Sequence, residues 1–287
     1  MNQLLTLSST AHVSSGAIAG MLFSMGIAVL GPIALLIIWR IRNRRHVSGD
    51  FAYMKEKCSI VPAFAGVATF TVAVLVLENI PKYFLFSGSS SVSDYILNHA
   101  WAYAFTGALL AGIFEECGRF VTFRYFLKNY TARETAVTYG IGHGGMECII
   151  LLGVGMISNL SLAFMINNGS LAVMIEQLPQ QQAHAYELVI ANLAASTFSL
   201  YLCSVWERIF AMLLHISLSV LVFAAVREKS KIYLFPLAIL LHAGLDIFAA
   251  LYQFGAINLL VTELLITLLS IGCAVFARRV YRSVGEK

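Results

Sequence analysis

An all-α, polytopic transmembrane bundle is the architecture that three features of this chain lead to. Of its 287 residues, 59% are hydrophobic and only 12% are charged, with a mean hydropathy of +0.79; a soluble domain carries about 25% charged residues. The apolar residues recur in blocks of about 18–28, the length a helix needs to cross a hydrocarbon core about 30 Å thick. The blocks are continuous, whereas a transmembrane β-barrel alternates apolar and polar positions. We therefore expect one integral-membrane domain over residues 1–287, multi-pass in the cell membrane and surrounded by the lipid bilayer.

The first span, about 16–39, has no basic region ahead of it and no small-residue cleavage pattern after it, so it is expected to be a retained helix. The loop that follows carries Arg40, Arg42, Arg44, Arg45, Lys55 and Lys57. Short loops rich in Lys and Arg stay in the cytoplasm, which places the N-terminus outside. A second span, about 60–77, leads to an outer loop with Glu78, Lys82 and Asp94. The third, about 99–118, returns the chain to a basic segment, Arg119 to Arg133, with Arg124 and Lys128 between. The fourth, about 136–163, ends in a loop with Glu176 and Glu187 but no Lys or Arg.

The stretch at about 188–205 is apolar but ambiguous. If it is re-entrant or lies on the surface, the clusters Arg227, Lys229, Lys231 and Arg278, Arg279, Arg282 both fall inside; if it spans, both fall outside. The charge rule selects the first arrangement. Pro179 and the Gln180–Gln182 run suit an irregular segment before it. The expectation is seven spans, the last three at about 209–226, 233–252 and 257–277, with eight as the alternative.

The net charge of +4 is small, and the basic residues sit in short loops where they set topology, so no nucleic-acid partner is expected. Five cysteines (Cys58, Cys117, Cys148, Cys203, Cys273) show no CxxC spacing and are expected to pack as small hydrophobes. The soluble-metalloprotease HExxH motif and the GxSxG elbow are absent.

What stands out is a set of ionisable residues inside the apolar spans: Glu115, Glu116, His143, Glu147, His215, His242 and Asp246. Each costs about 2.5–3.5 kcal/mol at membrane depth even on lenient scales, so such residues mark function more often than accident. With a rise of about 1.5 Å per residue, His143 lies about 15 Å from the level of Arg133, His242 about 16 Å from Lys231, and His215 about 18 Å from Arg227. Glu115 and Glu116 lie roughly 12–14 Å from Arg124. Four helices thus put their polar groups in one layer, as a single site requires.

Within Phe114-Glu-Glu-Cys-Gly-Arg119, Glu115 is i,i+4 and Glu116 i,i+3 to Arg119, so either carboxylate can pair with the guanidinium. The other is left to act on water. Tyr139-Gly-Ile-Gly-His-Gly-Gly-Met-Glu147 puts His143 and Glu147 on one helix face, able to converge on one ion or water. Its glycines either let neighbouring helices approach or leave room for a substrate backbone. His242-Ala-Gly-Leu-Asp246 repeats the i,i+4 geometry, and His215 has a hydroxyl, Ser219, one turn on. Imidazole and carboxylate together suit Zn²⁺, which in catalytic sites takes three protein ligands and a water; His143, Glu147, His215 and His242 are the candidate ligands.

A double glutamate followed by a basic residue, an aromatic-x-x-x-His and a later His-x-x-x-Asn/Asp form the signature of the CAAX-protease and bacteriocin-processing (CPBP) superfamily of intramembrane proteases. Glu115-Glu116-x-x-Arg119, Tyr139-x-x-x-His143 with Glu147, His215, and His242-x-x-x-Asp246 resemble that signature. Only two residues separate Glu116 from Arg119, the spacing of the PrsW group. Within the superfamily the chain most resembles the YhfC family of intramembrane metalloproteases, over about residues 99–252.

The resemblance implies that Glu115 activates the attacking water while Arg119 fixes the pair with Glu116. It implies that His143 binds that water or a metal, and that His242 and Asp246 complete the site or stabilise the oxyanion, with His215 the alternative for the later histidine position. The implied substrate is a membrane protein or peptide cleaved in or beside a membrane segment. Zinc-assisted and metal-independent mechanisms both accommodate these residues. Two other classes use the same polar layer: a non-catalytic scaffold, in which it serves packing, and a metal-ion or proton transporter. Against transport, the sequence lacks inverted-repeat halves and paired interrupted helices.

Overall fold

The computed structural model describes residues 11–45 and 56–284; His46 and Lys55 of the first basic loop lie outside them. All regular structure among the described residues is helical. In chain order the helices are α1 (Ser15–Arg45), α2 (Val61–Leu85), α3 (Ser91–Asn98), α4 (Ala100–Phe126), α5 (Glu134–Asn167), α6 (Ser170–Glu176), α7 (Gln180–Ala195), α8 (Phe198–Arg227), α9 (Leu234–Gln253) and α10 (Leu259–Ser283). Six of them, α1, α2, α5, α8, α9 and α10, are long and apolar enough to cross a membrane. The pair α3 and α4, bent by 106° at His99, makes a seventh when taken as one span. The protein is a multi-pass integral membrane protein.

The ambiguous 188–205 stretch forms no span of its own. α7 stops at Ala195, Ser196 takes an extended backbone, and residues 198–205 become the opening turns of α8. The helix carrying His215 therefore starts about eleven residues earlier than its most apolar segment suggested. It is also the most buried of the spans: 78% of its apolar window is buried, against 17–33% for the other five single-helix spans.

Two compact units are present, Met1–Gly31 with Cys148–Arg208, and Pro32–Glu147 with Ile209–Lys287. In the first, Val13 N–H donates to Asn167 Oδ1 at 2.8 Å and Asn167 Nδ2 donates back to Val13 O at 2.9 Å. Backbone groups left over at the start of α1 thus find partners within the protein, as a lipid environment demands. In the second unit α9 packs along α4, α10 along α9, and α2 against α4.

α5 enters this unit by backbone-to-backbone contact, and its glycines permit it. A Cβ on Gly142 would fall 2.0 Å from Ala63 O of α2, and one on Gly140 would fall 2.6 Å from Ile216 Cα of α8. The space that the missing side chains leave is filled by neighbouring helices, so the glycines serve packing and leave no room there for a substrate backbone.

One end of the second unit gathers the basic residues. Arg227 at the end of α8 donates from Nη2 to Leu127 O at 2.7 Å and Tyr130 O at 2.8 Å, supplying donors to carbonyls just beyond α4. Lys231 Nζ donates to Ser283 Oγ at 2.8 Å, Lys57 pairs with Glu134 at 3.1 Å, and Arg133 lies over the Tyr281 ring at 4.8 Å. The segments 57, 124–133, 227–231 and 278–282 therefore share one end, which is the arrangement of basic clusters that seven spans require.

The close approach at Gly142 predicts that Gly142→Ala lowers stability by about 1–3 kcal/mol, more than the ~1 kcal/mol that alanine contributes to helix propensity. Gly244→Ala in α9, where a Cβ meets nothing within 4 Å, is expected to be neutral or stabilising. Thermal unfolding of the purified variants in a mild detergent measures both.

Candidate functional site

All eight candidate site residues, Glu115, Glu116, Arg119, His143, Glu147, His215, His242 and Asp246, belong to the second unit, and the structure joins them in one network. α4 presents Glu115, Glu116 and Arg119, α5 presents His143 and Glu147, α8 presents His215, and α9 presents His242 and Asp246. Glu115, Glu116, Arg119, His143, His215 and His242 are all buried.

The two glutamates have different partners. Glu116 places both carboxylate oxygens 3.0 Å from Arg119 Nη1, and its Oε1 accepts from His242 Nδ1 at 2.8 Å. Its charge is thus neutralised by a guanidinium one turn away and fixed by an imidazole from α9. Glu115 has no such anchor. Its Oε2 lies 2.8 Å from His143 Nε2 and 3.9 Å from His215 Nδ1, and its Oε1 is 3.9 Å from His242 Nε2. Arg119 therefore bonds the i,i+3 carboxylate.

His215 bridges the network. Its Nε2 contacts Glu147 Oε2, and its Nδ1 lies 3.2 Å from Arg119 Nη2, from which it accepts. The Glu147 carboxylate favours the tautomer with the proton on Nε2 and the lone pair on Nδ1. Glu147 thus serves His215 across helices and does not converge with His143 along its own helix. Ser219 does not join the site, because its hydroxyl donates to His215 O within α8 at 2.7 Å. His242 Nε2 sits 3.4 Å from Asp246 Oδ2, and with a third of its side chain exposed Asp246 is the most accessible member of the cluster.

Two aromatic rings hold His143. Phe70 of α2 packs edge-on at 5.3 Å between centroids, and Tyr139 lies one turn earlier at 5.8 Å. Sequence reasoning had no signal for Phe70, which is one apolar residue among many in α2.

Glu115, His143 and His215 each offer a ligand atom, and these atoms all lie within 4.8 Å of one another. A carboxylate and two imidazoles are the donor set of a catalytic zinc with three protein ligands. A histidine whose other ring nitrogen is held by a carboxylate is the usual supporting arrangement, and the His215–Glu147 contact supplies it. The donors present fit a divalent cation of this kind once His215 Nδ1 exchanges its hydrogen bond from Arg119 Nη2 for the ion. His242 is turned to Glu116 and Asp246 and stands outside that trio.

Comparison with known proteins shows the family. The profile of a family described as YhfC intramembrane metalloprotease matches residues 46–267. A relative from Bacillus subtilis (strain 168), described as uncharacterized membrane protein YhfC, is 32% identical over 274 residues, covering 94% of this chain and all of the relative. No solved structure matches the chain.

Removing one member of a buried ion pair strands the other charge, at a cost of about 3–5 kcal/mol. Arg119→Ala is therefore expected to destabilise the protein by about that amount, and Arg119→Met with Glu116→Met to recover more than half of the loss. Equilibrium unfolding in mixed detergent micelles of wild type, single and double variants checks this.

Proposed function

Because the chain belongs to the YhfC family, whose description is that of an intramembrane metalloprotease, we propose that it is a peptidase that hydrolyses an amide bond in or beside a membrane segment. The observation that carries this reading is the asymmetry of the two glutamates. Glu116 is neutralised and immobilised by Arg119 and His242, while Glu115 faces His143 and His215 with a carboxylate not held by any guanidinium. Adjacent carboxylates serving only as structural struts would both need firm cationic partners.

In this reading Glu115 is the general base. Its carboxylate takes a proton from water as the oxygen adds to the scissile carbonyl carbon, then returns the proton to the leaving amine as the C–N bond breaks. Positioned acid–base groups of this kind contribute about 10²–10⁴-fold. His143 orients Glu115 through Nε2 and contacts the water. His242, with Nδ1 committed to Glu116, would turn its Nε2–H from Asp246 to the oxyanion, a role that needs a donor aimed at developing charge. Asp246 fixes the His242 ring and stands at the accessible edge of the cluster. Arg119 and Glu116 are positioning residues.

In the zinc-assisted alternative, Glu115, His143 and His215 would hold a divalent metal, Zn²⁺ by donor chemistry, with Glu147 supporting His215 and with one oxygen of Glu115 as ligand while the other takes the proton from water. When bound, such an ion supplies Lewis-acid polarisation and a more acidic water. Purified wild type is expected to carry about one equivalent of zinc by elemental mass spectrometry, and His215→Ala to lose it while remaining folded.

The experiment that tests the activity compares protein N-termini in membranes carrying wild type or Glu115→Gln. New termini in or next to membrane segments, present with wild type and reduced at least about 100-fold in the variant, are the expected result. Identical profiles from two folded, equally abundant proteins would sink the peptidase reading and favour the scaffold.

A further inference from the structure

At the basic end of the second unit lies a cavity of about 500 Å³ that the proposed chemistry does not use. Its cationic lining is Arg42 of α1, Lys57, Arg133, and Arg278 and Arg282 of α10. One carboxylate, Glu134, faces them and is paired with Lys57 at 3.1 Å. Arg133 is stacked over the Tyr281 ring and donates to Tyr281 O at 3.4 Å. Arg42, Arg278 and Arg282 are exposed, and among the described residues none of the three has an ion-pair partner.

Three guanidiniums with no ion-pair partner among the described residues, set around one cavity, repel one another and call for an anion. Guanidinium forks match the oxygens of phosphate in particular. The remaining lining says more about what carries the phosphate. The α8 side of the lining is mostly apolar, with Leu213, Ile216 and Val220 beside Ser217. Trp39, whose Nε1 donates to Thr138 Oγ1 at 3.1 Å, and Tyr281 flank the rim. A free phosphate would use only the arginines and leave an apolar floor and most of the volume idle. A phospholipid uses all of it, with its phosphate on the arginines and the beginning of its acyl chains on the α8 wall. Cavities of about 300–1,000 Å³ accommodate ligands of this size, and basic pockets between transmembrane helices are where anionic headgroups bind.

We infer that this cavity is a binding site for a phosphate-bearing anion, filled by the headgroup of an anionic phospholipid. The inference is independent of the peptidase reading, since no lining residue belongs to the Glu–His cluster.

The test uses the full chain purified in neutral detergent, with lipid adducts resolved by native mass spectrometry. Phosphatidylglycerol, phosphatidylcholine and inorganic phosphate are titrated separately. One phosphatidylglycerol is expected to bind at least about tenfold more tightly than phosphatidylcholine. Each arginine near a headgroup is worth about 1 kcal/mol, so Arg278→Gln with Arg282→Gln should weaken phosphatidylglycerol about 30-fold. Arg279→Gln, on the same helix, equally exposed but outside the cavity, should change it less than twofold. All three positions are exposed, and unchanged thermal midpoints in lipid-free detergent verify the fold. Competition by millimolar inorganic phosphate would keep the anion site and overturn the lipid as its occupant. Equal binding of both lipids, or equal loss with Arg279→Gln, would overturn the site.

Discussion

A carboxylate in a membrane interior must be neutralised by its own protein, and the fold of the second unit follows from doing this twice at adjacent positions. Glu115 and Glu116 leave the same turn of α4 about 100° apart on the helix circumference, so their nearest partners differ. Arg119 serves Glu116 from three residues away, and His242 reaches it from α9. Glu115 is left to His143 on α5, with His215 on α8 further off. The pair of glutamates thus dictates that three other helices bring imidazoles to α4 at one depth. An unpaired charge in that layer would cost several kcal/mol, comparable with the whole stability of many proteins.

Such convergence needs helices to come closer than side chains ordinarily allow. α5 achieves it by removing its side chains on two faces, towards Ala63 at Gly142 and towards Ile216 at Gly140. One residue beyond Gly142, His143 projects to Glu115. The glycine-rich segment is therefore part of the electrostatic solution, because it sets the distance over which an imidazole can reach a carboxylate.

The sequence made the helices and their polar layer legible because both are local properties. An apolar block long enough to span has few alternatives to a helix in lipid, and depth follows from counting residues; α9, expected at about 233–252, runs Leu234–Gln253. Partner choice was less legible. Along α4 an i,i+3 and an i,i+4 pairing are equally open to Arg119; the outcome depends on His242 and His143, which approach from helices distant in sequence. Glu147 is similar: four residues from His143, it turns to His215 on α8. The early start of α8 was also hidden, since the break at Ser196 and Thr197 lies inside an apolar run. The basic cavity was hidden too, because loop arginines were sufficiently explained by topology.

α8 connects these features. His215 faces the buried cluster, while Leu213, Ile216 and Val220, all more than a quarter-turn away around the helix, face the basic cavity. Arg227 secures its end to the carbonyls after α4, and Gly140 of α5 lies against its backbone at Ile216. A helix held at its end and along its side cannot rotate to admit a substrate without breaking those contacts. The slack lies on α9, where Gly244 has open space around it and Asp246 has a third of its side chain exposed. If Glu115 acts as proposed, water and a peptide bond would meet the least packing resistance on that side, where His242 and Asp246 are already turned towards each other.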